Sequence, residues 1–135
     1  MPLLIKAVAD ALQAQGFTDG SGPPTYFVGF ERATPDFAVT VLSEAGSPPQ
    51  RNLGSFPGFS IVVRHRDGTK AHEVMVDIFR FLQDRGMTAG SAKFSGLPIA
   101  RITATSGISD LGFDQDGGQG RYKVTQTFQA IVRQT

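Results

Sequence analysis

The chain has 135 residues, with 13 Lys and Arg against 12 Asp and Glu, 40% apolar and 19% charged residues, 11 Phe, and neither Cys nor Trp. A single compact domain of this length hides roughly two-thirds of the surface of its unfolded chain, so a core can form without staples, and the missing cysteines exclude disulfides, thiolate metal sites and cysteine nucleophiles. A formal net charge of +1 argues against a dedicated nucleic-acid binder, which gathers cations on one face, and no apolar run resembles a signal segment or approaches the ~20 residues that span a bilayer.

Leu4, Val8, Ala11 and Leu12 recur at helical spacing between Pro2 and Gly16, which predicts an amphipathic helix over 2–15. After the breaker-rich Thr18–Pro24 comes the apolar run Tyr26–Phe30, expected to be a strand. Thr34-Pro35-Asp36 supplies a turn, and Phe37, Val39 and Val41 then alternate with Ala38 and Thr40, the period of a sheet with one buried face.

Residues 43–58 have no period and contain Pro48, Pro49 and Pro57. They read as a long loop, and its stretch Gly46–Gly58 as a stiff arm that cannot be an interior strand. Phe59–Arg64 reads as a strand apolar on both sides, and Asp67-Gly68-Thr69 as a turn into a helix cap. Ala71, Val74, Met75, Ile78, Phe79 and Leu82 form one stripe, while His72, Glu73, Asp77, Arg80 and Asp84 face away and Gly86 ends the helix.

A flexible stretch is expected over 87–96, a strand over 98–104 and a loop over 106–120. A final strand of about a dozen residues carries Tyr122, Val124, Phe128, Ala130 and Val132 on one face, long enough that its ends should overhang the sheet. The order is helix, three strands, helix, two strands. It predicts one α+β domain over 1–135: a single antiparallel or mixed sheet of about five strands with two helices on one face.

Sequence patterns for chemistry are weak. His65-Arg66-Asp67 matches the tripeptide of a kinase catalytic loop, but the accompanying kinase motifs are missing. Asp114-Gln115-Asp116-Gly117 opens like a calcium loop, yet position 12 of that loop is Thr125 rather than Glu. Gly117-Gly118-Gln119-Gly120 precedes a strand instead of opening a helix, so it does not aim helix N–H groups at a phosphate. His65 and His72 suggest a metal pair only if His72 leaves the polar face of its helix. No catalytic, cofactor or metal residue is expected.

Phe27, Phe30, Phe37, Phe59, Phe79 and Phe128 fall on periodic faces and are expected in the core. Phe56, Phe94 and Phe113 sit in segments rich in Gly, Ser and Pro and are candidates for partner contact. In the arm, Gln50, Arg51 and Asn52 place hydrogen-bonding groups at the expected tip, with Leu53 and Phe56 as an apolar shoulder behind them.

Two stretches carry a resemblance. One is the strand ending in Arg64-His65-Arg66-Asp67-Gly68 with the helix Ala71–Leu82 after it; the other is Ile102–Asp114 followed by Gly120-Arg121-Tyr122-Lys123-Val124-Thr125-Gln126-Thr127-Phe128. Together they resemble the minor capsid and tail terminator proteins of long-tailed bacteriophages, by element order over the whole chain and by residues over its last two-thirds. The resemblance implies a virion neck protein without catalytic residues, a ring usually of six subunits that stops tail-tube polymerisation. Its implied partners are the tail tube protein, a head-completion or stopper protein, and DNA only as it passes through the channel. A stopper or head-completion role, or a small-ligand-binding α+β domain, are the alternatives. The Pro-rich stretch Gly46–Gly58 departs from the family pattern.

Overall fold

A computed structural model of the chain describes residues 4–32, 35–50, 54–86, 99–114 and 120–132. Its elements are α1 (Leu4–Gln15), β1 (Thr25–Val28), β2 (Ala38–Gln50), β3 (Gly54–His65), α2 (Gly68–Gly86), β4 (Ile99–Ala104), β5 (Ser109–Asp114) and β6 (Arg121–Val132). The six strands form one mixed sheet in the order β1-β2-β3-β6-β4, with β5 also paired to β6. The α+β class is as expected, with one strand more.

Both helices pack on one face. Val39 lies opposite Val63, and Val41 opposite Ile61. With Phe59, Ile102, Val124, Phe128 and Ala130 they join Val8 and Leu12 of α1 and Val74, Met75, Ile78 and Leu82 of α2 in a single buried cluster. Phe59 and Phe128, partners in register, stack with ring centroids 5.3 Å apart at its centre. The alternation of β2, β3 and β6 thus does what the sequence period says on this face.

The opposite face is buried too where β2 meets β3, as the strand apolar on both sides predicts for β3 and unlike the single buried face expected of β2. Ala38, Thr40, Ser60, Val62 and Arg64 are all covered. β1 runs parallel to β2, register Thr25 to Ala38, and only the nine residues 29–37 join the two strands. Parallel neighbours ordinarily need a connection of a dozen or more residues, generally a helix. Here a short segment replaces the helix, and its described residues are tied to the sheet by Arg64.

Several expectations are corrected. β1 ends at Val28, and Phe30, expected in the core, is 56% exposed with the Arg32 guanidinium 4.9 Å above its ring. Phe79 flanks the core half-buried rather than inside it. The cap expected at the Asp67-Gly68-Thr69 turn is supplied by Asp67: its carboxylate accepts the Thr69 N–H at 2.9 Å and its carbonyl the Ala71 N–H at 3.0 Å.

The long loop over 43–58 is mostly strand. β2 and β3 pair from Ala38–Arg64 out to Gln50–Gly54, with register shifts on either side of Ser47. These irregularities erased the period that would have announced strands. The prolines are compatible with pairing because none stands at a paired position: Pro48 and Pro49 fall in the register shift between Ser47 and Gln50, and Pro57 in the shift between Phe56 and Gly58.

The loop over 106–120 likewise contains β5. Its pairing shifts between Asp110 and Gly112, where Gly112 has φ +90, a conformation open to glycine at little cost. Nor does β6 overhang. β3 borders it from Tyr122 to Val132, β4 takes the other side from Phe128 to Val132, and β5 takes it from Arg121 to Thr125. The stretch 87–96 lies outside the described residues.

Candidate partner interface

The end of the sheet where β3 runs into α2 collects most of the unusual chemistry. Strand alternation sends Arg64 to the face away from the helices and His65 to the opposite one. Arg64 is 2% exposed. Its Nε donates to the Asp36 carbonyl at 3.3 Å, its Nη1 to Glu31 Oε1 at 2.9 Å and to the Arg32 carbonyl, and its Nη2 to the Pro35 carbonyl. A planar fork of donors suits this ring of acceptors in a way an ammonium does not. Around it, Lys123 reaches Glu31 at 3.1 Å, Arg121 lies 3.7 Å from Asp36, and Arg66 binds the other Asp36 oxygen.

His65 is engaged at both ring nitrogens. Nδ1 accepts the Asp67 N–H at 2.8 Å, which leaves the proton on Nε2 to meet Asp19 Oδ2 at 2.6 Å. Asp19 also accepts from the Ser21 N–H, the Ser21 hydroxyl and the Gly22 N–H, while Lys70 Nζ bonds its carbonyl at 2.9 Å. The clamp fastens the segment after α1 to the start of α2. It also occupies the histidine that the sequence offered as half of a metal pair. Among the described residues, no three His, Cys, Asp or Glu side chains gather as a metal site.

These donors, His65 foremost, hold the Asp19 carboxyl well below its usual 3.8. A carboxylate stabilised in the folded state contributes fully above its unfolded pKa, and the contribution is lost as pH falls through the lower folded value. The stability gap between the wild type and Asp19→Ala in urea unfolding is therefore expected to be constant near neutrality and to narrow steadily below about pH 4. A gap that persists unchanged in acid would remove the charge of Asp19 from the clamp.

Beside this clamp lies an open groove of about 930 Å³, between the first turns of α2 and strands β5 and β6, bordered by Asp67, Gly68, Glu73, Asp110, Tyr122 and Val124. Tyr122 is held there by the backbone. A Cβ at Gly68 would stand only 3.1 Å from the ring, so the ring lies directly on the glycine and is still 37% exposed. Leu111, next to Asp110 in β5, is 56% exposed. Arg66 also borders the groove, but its guanidinium is drawn to Asp36, and the remaining charged wall is acidic.

Of the residues expected to meet partners, Phe113 lies at this end, in β5 opposite Tyr122, whereas Gln50 closes β2 opposite Gly54 and Phe56 lies in β3 opposite Ser47; the side chains of all three are outside what is described. Arg51, Asn52, Leu53 and Phe94 lie outside the described residues altogether. Sequence reasoning missed Asp19, Arg64 and Tyr122. An arginine inside an otherwise apolar strand, Ile61-Val62-Val63-Arg64, was the one available signal, since a charge there requires a partner.

No protein-family model matches the chain, and no curated protein matches it. No helix among the described residues is long and apolar enough to cross a membrane.

Proposed function

We propose that this chain is a non-catalytic subunit of a tailed-bacteriophage particle that caps the head-proximal end of the tail tube as a ring. In that position it ends tube polymerisation and presents a surface to the head-completion or stopper protein. The reading rests on the resemblance carried by the β3 turn, α2 and the last two strands, and one observation gives it physical support: the sheet is open. Among the described residues, β1 closes one side only as far as Val41, and β4 and β5 pair on one side alone. Unpaired strand edges are either blunted or used to meet another chain, and a head-to-tail contact that closes on rotation makes a ring.

The groove beside Tyr122 favours a second reading, because its volume falls in the range of small-ligand sites. The two readings separate by mass. Light scattering during size exclusion, with electron microscopy of purified tail tubes mixed with the protein, is expected to show rings in solution or rings seated at one end of the tubes. A protein that stays monomeric at high concentration and leaves every tube bare would overturn the ring reading in favour of the ligand-binding domain.

A further inference from the structure

We infer that the outer edge of β4 in one copy of this chain pairs with the outer edge of β2 in a second copy, so that the sheet continues from subunit to subunit; the inference rests on the ring reading and specifies its contact. The two edges end one row of the sheet. Ser43 stands opposite Phe59, Phe59 opposite Phe128, and Phe128 opposite Ala104. That row crosses β2, β3, β6 and β4. Among the described residues no strand adjoins either end of it, because β1 stops opposite Val41 and β5 borders β6 only from Arg121 to Thr125.

The backbone is turned outward at both ends of the row. The Thr25 N–H meets the Phe37 carbonyl at 3.2 Å and the Gly29 N–H the Val41 carbonyl at 2.8 Å. Alternation therefore turns the N–H and carbonyl of Ser43 to the same side, just past the end of β1. On β6, Thr127 directs both groups toward β4: its carbonyl accepts the Thr105 N–H at 2.9 Å, and its N–H donates to the Ser106 hydroxyl at 3.0 Å. Thr105 thus faces β6, and Ile102 and Ala104 face away from it. Pairing is antiparallel from β2 to β3, from β3 to β6 and from β6 to β4, so β4 runs against β2. A second copy's β4 laid beside β2 accordingly meets it as an antiparallel ladder, with Ala104 opposite Ser43. Because the row is level, the added copy is displaced across the strands rather than along them. The two edges differ, so the contact is head to tail and closes a ring by rotation, where a self-complementary edge would end in a dimer.

Ser43→Pro and Ala104→Pro each remove one outward N–H and leave the ladders to β3 and β6 intact. Each is expected to raise the concentration needed for assembly about tenfold or more, since a carbonyl of the next copy is left without its donor. Ser43→Ala keeps the N–H and is expected to assemble like the wild type. Light scattering during size exclusion reads assembly, with far-UV circular dichroism and urea midpoints establishing that each variant folds. Cysteines give a second probe that barely alters size, in a chain that has none of its own. Ser43 and Ala104 of one copy are separated by three strand spacings, roughly 14 Å at about 4.8 Å each, beyond the ~7 Å that a disulfide spans. Oxidation of the double variant Ser43→Cys with Ala104→Cys is therefore expected to give a ladder of covalent multimers on denaturing gels, and either single variant nothing beyond a dimer. Should the proline variants assemble like the wild type, or the double-cysteine variant form rings without a ladder, the contact is overturned while the ring stands. A wild-type chain that neither assembles nor caps tubes removes the ring and this contact together.

Discussion

Arg64→Met is expected to destabilise the fold by about 3–5 kcal/mol, the loss typical when one member of a buried ionic network is removed. Methionine occupies similar space without a charge, so filling the volume is not the issue. The loss comes from the acceptors left behind: Glu31 Oε1 and the carbonyls of Arg32, Pro35 and Asp36 all face Arg64 from the β1–β2 connection. Glu31 keeps Lys123, whereas the three carbonyls lose the guanidinium that Arg64 donates to them. Arg64→Lys restores the charge without the fork and is expected to recover part of the loss. Urea unfolding of both variants decides it. If Arg64→Met stays within about 0.5 kcal/mol of the wild type, the range usual for surface substitutions, the connection is held by something other than this arginine.

The second large effect is expected on the core side. Ile78→Ala should cost about 2–5 kcal/mol, because a fully buried aliphatic side chain leaves both lost burial and a cavity. Ile78 is 0% exposed in the cluster that joins α2 to the sheet. Its neighbour Phe79 lies half-buried at the margin of the same cluster. Phe79→Ala is accordingly expected to cost less despite removing more atoms. Equilibrium unfolding of the two variants gives the order directly, and a reversed order would show that the stripe of α2 is turned relative to the sheet.

What was legible in the sequence follows from where periodicity survives. The helices and the middle of β2, β3 and β6 have one buried stripe or face, and their apolar spacing announces it. Pairing irregularities at Ser47 and Leu111 interrupt that spacing, which is why the outer halves of β2 and β3 and the whole of β5 read as loop. Phe30 was misplaced because it continues an apolar run past the Gly29 that ends the strand. The candidate interface was less legible still. Asp19 and His65 are 46 positions apart, Gly68 and Tyr122 farther, and nothing in local spacing shows that one will hold the other.

The place of β6 bears on how the chain is made. It is the strand on which β3, β4 and β5 all converge, and the ribosome produces it after every one of them. Until then β3 has only β2 beside it, β4 and β5 have no strand to join, and the core lacks Val124, Phe128 and Ala130. Pairings this distant in sequence close slowly, and open strand edges invite association with the wrong partner meanwhile. The nascent chain thus stays an incomplete sheet until β6 emerges, and the groove beside Tyr122 takes shape only with the strand that carries that residue.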